Sequence, residues 1–352
     1  MSTRSATRRS VHPIPLLARW KMALDGCNVP QIQLADSVTR WLVISRSCVF
    51  SMSLTSGLLG LLIAAERSAR GLGTVNWGLG LLAVLGVVIA HASNNLINDY
   101  LDVRQGVDTE DYPRAQYSPH PLLGGLTTPR GLITAAVILN LIDAAIMIYL
   151  YTQLGTTVVY FAVAGLLLSL FYTSVLKRAG FGELTALIVW GPLMIGGTAF
   201  VSLGGAPLPF EVWLLTLPYG LIVASVLVGK HIDKIEADKK VGVRSIPVIL
   251  GEERAKVLNK VTFVLFYALI LALVALGYTG PGVLLTFLAI GRLRTTWKMY
   301  SEPKPAKAPE GWTVWPLWYV GWAMHYNRQA GEFFTIGLIL NIAVPYLLRL
   351  FS

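Results

Sequence analysis

The sequence predicts an all-α protein that crosses a membrane many times, and three observations support this fold class. Of its 352 residues, 54% are hydrophobic and 14% are charged, whereas about 25% are charged in an average soluble domain. The mean hydropathy is +0.60. The apolar residues also form long uncharged runs, close to the roughly 20 residues that a spanning helix needs.

Nine such runs predict about nine transmembrane helices. In chain order we place them at Trp41–Ala64, Val75–Asn98, Leu132–Tyr151, Thr156–Leu176, Glu183–Leu203, Glu211–Gly229, Ala255–Leu276, Pro281–Tyr300 and Gly331–Leu350. The eighth is the weakest, because only its first part, Pro281–Gly291, is strongly apolar and three basic residues follow.

The basic residues lie almost entirely on one side of these predicted helices. Of the 29 Lys and Arg residues, all but Arg67, Arg70 and Arg349 lie in the N-terminal segment or near the loops after helices two, four, six and eight. Positive residues favour the cytoplasmic side, so we expect a cytoplasmic N-terminus. The net charge of +10 therefore reflects topology and gives no reason to expect nucleic acid as a partner. The basic face would attract anionic lipids or phosphorylated substrates.

We divide the chain into a cytoplasmic N-terminal segment, residues 1–40, and one membrane domain, residues 41–352. The first segment has no apolar stretch of signal-peptide type, although its Arg and Ser residues also suit an organelle transit segment. Cys27 and Cys48 are too few for a disulfide framework, and we expect both on the reducing side or in lipid. The expected location is a multi-pass position in the bacterial inner membrane.

Three long loops lie on the predicted cytoplasmic side, at residues 98–131, 230–254 and 301–330. Loops longer than about 12 residues tend to be functional or disordered. The first two carry clusters of acidic residues beside bases and glycines. Two similar clusters four helices apart suggest a parallel repeat with a site at its centre.

The spacing of the acids indicates a metal site. Asp99 and Asp102 are three residues apart, as are Asp233 and Glu236, and such pairs share one face of a continuous helix. Carboxylates that meet in one cavity repel each other unless a cation holds them. Oxygen ligands beside Lys and Arg suit Mg²⁺ on a diphosphate, and the scattered His residues disfavour zinc. The alternative is that these acids are solvated loop residues without a function.

The residues around both clusters form motifs. The first reads Asn98-Asp99-Tyr100-Leu101-Asp102, then Gly106-Val107-Asp108-Thr109, and the second ends in Asp238-Lys239-Lys240-Val241-Gly242-Val243-Arg244-Ser245. They resemble the N-D-Y-x-D-x-x-x-G-x-D-T and D-x-K-x-G-x-[KR]-S motifs of the UbiA superfamily of intramembrane prenyltransferases. The resemblance is nearest to the branch that prenylates 1,4-dihydroxy-2-naphthoate in menaquinone synthesis. It implies nine helices around a central cavity.

Two positions depart from the motifs of that family. Lys234 stands where the first acid of the second motif is expected, so either Asp233 or Glu236 would have to partner Asp238. His120 replaces an arginine that the family commonly has before Pro-Leu, which weakens one phosphate contact or makes it dependent on pH.

The resemblance implies an activity and roles for individual residues. The activity is Mg²⁺-dependent transfer of a prenyl group from a polyprenyl diphosphate to an aromatic acceptor in the bilayer, such as 1,4-dihydroxy-2-naphthoate or another quinone precursor. The implied Mg²⁺ ligands are Asp99, Asp102, Asp233, Glu236 and Asp238. The implied substrate-binding residues are Asn98, Asp108, Arg114, Lys177, Lys230, Lys240 and Arg244. The implied catalytic residues are Asp99, Asp102, Asp233 and Asp238, with Tyr172 as the aromatic face for an allylic cation.

Other functions remain open at this point. Relatives with the same fold use non-quinone acceptors such as haem, chlorophyllide or a phosphosugar, and a non-catalytic lipid-binding relative would also explain the departures. An ion-coupled transporter is the alternative of another class, and Asp143 in the third predicted helix is its main support. Asn140, one turn away, offers that carboxyl a structural partner.

Overall fold

The computed structural model describes residues 13–350, without the side chains of residues 173, 174 and 345–350. That part of the chain is helical and contains no β-strand. The helices are α1 (Leu16–Gly26), α2 (Ser37–Ile44), α3 (Ser47–Ala69), α4 (Trp77–Arg104), α5 (Pro113–Tyr117), α6 (Pro129–Leu154), α7 (Thr157–Phe171), α8 (Gly182–Ser202), α9 (Phe210–Ile232), α10 (Ile235–Lys240), α11 (Ile246–Leu250), α12 (Glu252–Ala275), α13 (Ile290–Ser301) and α14 (Tyr319–Leu350). A π-helical segment, Tyr172–Leu176, continues α7, and a 3₁₀ segment, Pro281–Ala289, precedes α13.

The helices confirm the predicted fold class. Within the described residues, six helices are long and apolar enough to cross a membrane, namely α3, α4, α6, α8, α9 and α12. The apolar helix α7 is shorter, with 15 residues. Each of the nine predicted spans falls on a helical segment of the chain. The number of spans and the cytoplasmic side of the N-terminus stay predictions.

The first predicted helix, Trp41–Ala64, is divided in the structure. Helix α2 ends at Ile44 and α3 begins at Ser47, and Arg46 between them has φ +58°. A non-glycine residue in this region is uncommon and persists when its surroundings hold it there. The break turns the side chain of Arg46 towards the end of α4.

The same break brings two cysteines together. We expected no disulfide, but the structure joins Cys27 to Cys48 and thereby ties α1 to the start of α3. The sequence separation of 21 residues gave no sign of this contact, because it depends on the change of direction at Arg46. Oγ of Ser118 also donates to the carbonyl oxygen of Cys27 at 2.6 Å.

One side of the bundle has a dense aromatic core that holds the helices around the site. Phe263 and Phe266 of α12, Tyr219 of α9, and Tyr326 and Phe334 of α14 are fully buried in it. The opposite side, formed mainly by α3, α4, α6, α7 and α8, encloses an apolar cavity instead. The core therefore fixes α9 and α14 while the other helices form the walls of that cavity.

Candidate active site

The cavity has a volume of about 440 Å³ and lies mainly between α3, α4, α6, α7 and α8. We call the ends of α4 and α9 that carry Arg104 and Ile232 the inner end of the bundle. The walls away from the inner end are largely apolar. At the inner end the lining becomes charged and polar, with Arg46, Asn98 and Lys230. The cavity is thus amphipathic along its length, which suits a lipid with a charged head.

Asp99 is the centre of the charged end. Its carboxylate is fully buried, and two arginines hold it. Nη2 of Arg114 lies 2.9 Å from Oδ2 and Nε lies 3.3 Å from Oδ1. Arg46 donates from Nη2 to Oδ1 and, at 3.3 Å, from Nε to Oδ2. A buried carboxylate needs such pairing, because an unpaired charge away from water is strongly destabilising.

Asp102 is one turn further along α4 and pairs with Lys177. Nζ of Lys177 lies 3.3 Å from Oδ2 and 3.4 Å from Oδ1, and both residues are buried. Lys177 follows the π-helical segment at the end of α7. The structure therefore brings these two predicted residues together one turn beyond Asp99, although neither of them lines the cavity itself.

Asp108 lies beside Asp99 because the loop after α4 turns back. Gly106 has φ +69°, a conformation that glycine adopts readily, and the N–H of Asp108 donates to the carbonyl oxygen of Asp102 at 3.1 Å.

Ligand atoms of Asp99, Asp108 and His120 all lie within 4.8 Å of one another. Burial opposes ionisation, but the His120 hydrogen bond and the charges of Arg46 and Arg114 lower the pKa of Asp108 to about 2. This carboxylate is therefore ionised at neutral pH.

His120 occupies the place where an arginine was expected. Its Nδ1 accepts from the N–H of Leu122 at 3.2 Å, so Nε2 carries the proton and faces Oδ2 of Asp108 at 3.3 Å. Burial lowers the pKa of His120 although the Asp108 hydrogen bond opposes this. A neutral imidazole at this position orients Asp108 without adding a charge.

The second motif contributes Asp238. Its Oδ1 accepts a 2.6 Å hydrogen bond from the Tyr112 hydroxyl, and Nζ of Lys234 lies 3.6 Å away. Burial opposes ionisation, but the charges of Lys234 and His231 and the Tyr112 hydrogen bond lower the pKa of Asp238. Oδ2 of Asp238 is buried and has no hydrogen-bond partner in the described part of the chain.

The structure does not bring Asp233 or Glu236 to this group. Oδ1 and Oδ2 of Asp233 accept the N–H groups of Tyr319 and Val320 at 3.1 and 2.9 Å, so Asp233 caps the start of α14. Burial raises the pKa of Asp233 to about 6 although these N–H groups oppose it. Glu236 pairs with Lys239 at the surface, and its side chain is 80% exposed.

Of the remaining predicted residues, some line the cavity and others do not. Asn98, Lys230 and Tyr172 line the cavity. Lys240 and Arg244 are exposed and do not line it. Sequence reasoning missed Arg46 and Tyr112, although both contact a predicted aspartate. The only local signal for Arg46 was a charged residue inside an apolar run.

Comparison with known proteins identifies the family. Residues 52–327 match the UbiA prenyltransferase family, which is well over half of the chain. The chain belongs to the UbiA prenyltransferase family. This confirms the resemblance that the motifs indicated, and the protein is a multi-pass membrane prenyltransferase.

Two relatives illustrate the range of acceptors in this family. The prenyltransferase is 22% identical to the 1,4-dihydroxy-2-naphthoate octaprenyltransferase of Bacillus subtilis (strain 168), over 72% of this chain and 78% of the relative. It is 29% identical to the digeranylgeranylglyceryl phosphate synthase of Natronomonas pharaonis, over 64% of this chain and 77% of the relative.

Solved structures show the same fold. A UbiA homolog from Aeropyrum pernix K1 in its apo form has a TM-score of 0.63 and 21% identity, over 83% of this prenyltransferase and 98% of that chain. A UbiA homolog from Archaeoglobus fulgidus bound to GPP and Mg²⁺ has a TM-score of 0.53 and 18% identity, over 84% and 99%.

Proposed function

We propose that this prenyltransferase uses a polyprenyl diphosphate and Mg²⁺ to prenylate an aromatic acceptor at the inner end of its cavity. One observation carries the proposal: buried acidic and basic side chains form ion pairs next to one end of an apolar cavity. Arg46 and Arg114 line that end of the cavity and provide positive charge, and Asp99 lies against both of them. Asp102, Asp108 and Lys177 are buried close to Asp99 but do not line the cavity. An apolar tail and a metal-bound diphosphate match these two environments.

The acidic residues fit Mg²⁺ well. Carboxylate oxygens are its preferred protein ligands, and the ligand atoms of Asp99 and Asp108 are close enough to share one ion. The unpartnered Oδ2 of Asp238 is a further oxygen available to a cation. The GPP and Mg²⁺ in the Archaeoglobus fulgidus homolog support this proposal. Asp99, Asp102, Asp108 and Asp238 would hold the metal, which would supply Lewis-acid assistance to the leaving diphosphate.

The basic residues neutralise the remaining phosphate charge. Arg46 and Arg114 each contact Asp99 in the structure, and Lys177 contacts Asp102. When a diphosphate binds, these donors are within reach of its oxygens, and charge-assisted hydrogen bonds to phosphate are strong. Lys230 lines the cavity beside them. These four bases stabilise the negative charge that develops on the leaving group.

The apolar walls protect the prenyl cation that this step produces. Tyr172 lines the cavity near the charged end, and its ring offers a π face that attracts a cation. Its role as an interfacial anchor is the alternative. Attack by an electron-rich ring carbon of the acceptor forms the new carbon–carbon bond, and the acceptor then loses a proton.

We infer a quinone precursor of the 1,4-dihydroxy-2-naphthoate type as the acceptor, since one relative carries that name. The naphthoate relative matches a longer part of the chain at 22% identity and the glycerophosphate relative a shorter part at 29%, so the test includes both acceptor classes. We also infer a bacterial inner membrane with the inner end of the bundle facing the cytoplasm, because the basic residues concentrate there.

The test uses purified protein in lipid nanodiscs with Mg²⁺, labelled farnesyl diphosphate, and an acceptor panel of naphthoate, hydroxybenzoate and a glycerophosphate lipid. Release of diphosphate with formation of one prenylated product is expected, and product mass names the acceptor. Asp99→Asn with Asp102→Asn should abolish turnover, whereas the exposed Glu236→Gln should retain it. Undiminished turnover of the double variant would contradict the metal assignment.

A further inference from the structure

Asp143 is an acidic residue in the cavity wall that the proposed chemistry does not use. It lies in the middle of α6, and its Oδ1 is 3.1 Å from the point where a Cβ at Gly86 of α4 would stand. Its carboxyl makes no hydrogen bond or ion pair with any residue in the described part of the chain. Asn140, the partner expected from the sequence, does not bond to it. An ionisable group at membrane depth calls for a function.

The depth of Asp143 is set by its neighbour on α4. Gly86 precedes Asp99 by 13 residues on one continuous helix, which places it about 20 Å from the diphosphate site at 1.5 Å per residue. Ala83, one turn further, and Leu150 of α6 belong to the last part of the cavity. A prenyl chain that fills the cavity from the inner end would therefore meet Asp143 close to its end.

We propose that Asp143 sets the length of prenyl chain that the enzyme prefers, an inference that rests on the proposed function. A diphosphate and an extended isoprene unit are each about 5 Å long, judged from ordinary bond lengths. A chain of about three units then ends before Asp143, whereas a longer chain lays hydrocarbon against its carboxyl. That contact removes the water that hydrates the group and gives it no hydrogen bond in return, which is unfavourable.

The preferred chain length is set by the polarity of Asp143, and the cavity need not be closed beyond it. Asn140, Ala162 and Leu166 line the cavity and have exposed side chains. We take this part of the wall, between α6 and α7 and next to Asp143, as an opening towards the surrounding lipid. A longer chain has a way out, but it must pass the carboxyl to use it.

The experiment compares kcat/KM for a C15 and a C30 prenyl diphosphate with one acceptor. The wild type should prefer C15 by about tenfold or more, the size expected when a polar group loses its hydrogen bonds. Asp143→Leu, an apolar side chain of similar size, should bring the two values within about threefold of each other. Asp143→Asn keeps a polar group and should retain most of the preference for C15. Its kcat/KM ratio can still be measured if the leucine variant expresses poorly.

The control is Thr134→Leu, which makes the same kind of change at an exposed position of α6 outside the cavity. It should leave the C15 to C30 ratio unchanged. The proposal is overturned if Asp143→Leu turns over both donors with the wild-type ratio, or if the wild type shows no preference. A failure of the proposed function looks different, because then neither donor releases diphosphate with any variant.

Discussion

The hydroxyl of Tyr112 donates a 2.6 Å hydrogen bond to Oδ1 of Asp238 and joins the loop after α4 to the second motif. The same hydroxyl oxygen accepts from Nζ of Lys234 at 2.6 Å. Burial and the Asp238 charge raise the pKa of Tyr112, so its proton stays in place. Lys234 stands at a position where the family motif has an acid. It therefore interacts with Asp238 in two ways, through the Tyr112 hydroxyl and directly as an ion pair. The second motif offers the site one buried carboxylate instead of two.

We predict that Tyr112→Phe weakens both the fold and the activity. The variant leaves Lys234 and Asp238 buried without the hydroxyl between them, which should lower the free energy of unfolding by about 1–3 kcal/mol. It should also raise the Mg²⁺ concentration needed for half-maximal turnover, because Asp238 loses the bond that orients it. Thermal unfolding in detergent and a Mg²⁺ titration of diphosphate release measure the two effects.

Tyr278→Phe is the matched control, since Tyr278 lies in the loop at the other end of the bundle and only its main-chain carbonyl accepts a side-chain hydrogen bond in the described structure. It should change neither quantity. Wild-type Mg²⁺ dependence in Tyr112→Phe would show that Asp238 takes no part in metal binding.

Asp99 and Asp102 of the first motif could be predicted because they lie on regular structure. Asp99 and Asp102 belong to one continuous helix, where residues three apart share a face. Asp108 follows a glycine that turns the chain back. In these cases local sequence alone specifies the geometry that brings the carboxylates together.

The second motif shows why the same spacing rule failed elsewhere. Asp233 and Glu236 have the same separation as Asp99 and Asp102, but α9 ends at Ile232 and a new helix begins at Ile235. The rule holds only within one helix, so the two acids point in different directions. Whether a helix continues past its membrane end depends on tertiary contacts, here the capping of α14 by Asp233.

Arg46 should contribute to binding of the diphosphate. Arg46→Ala removes one of the two guanidinium groups at Asp99, so we expect KM for the donor to rise by about tenfold, as for other charge-assisted phosphate contacts. Arg46→Gly should lose the same activity but be more stable than Arg46→Ala by about 1 kcal/mol, because glycine adopts φ +58° without steric cost. Steady-state kinetics and thermal unfolding separate the two roles.

Arg70→Ala serves as the control for Arg46, because the guanidinium of Arg70 donates only to the carbonyl oxygens of Gly277 and Tyr278 in the described structure. Its donor KM should equal that of the wild type. An unchanged KM in Arg46→Ala would remove Arg46 from the substrate site.

Helix packing gives a prediction on stability alone. A Cβ at Gly60 of α3 would clash with the backbone of α8 at Ile195 and lie 2.8 Å from Cβ of Thr198, so Gly60→Ala should cost about 1–3 kcal/mol. A Cβ at Gly165 of α7 has no atom within 4 Å. Gly165→Ala should therefore stabilise the protein, by about 0.5–1 kcal/mol. Thermal unfolding of both variants tests the close contact, and equal effects would contradict it.

The last prediction concerns pH and the cap of α14. Burial raises the pKa of Asp233 to about 6 from the ordinary aspartate value of 3.8, so the folded protein binds this proton more tightly than the unfolded chain does. Its contribution to stability is therefore largest below about pH 4 and is lost as pH rises towards 6. A shift of this size corresponds to about 3 kcal/mol.

Asp233→Asn cannot ionise, so it should lack this part of the pH dependence while its amide oxygen still accepts one of the two N–H groups of α14. We expect the difference in unfolding temperature, wild type minus variant, to fall by several degrees between pH 4 and 7. Glu236→Gln is the control, because that carboxylate is exposed and the difference for this variant should stay constant. Parallel curves for the wild type and Asp233→Asn would mean that Asp233 remains ionised throughout this range, and its cap would then be a charged one.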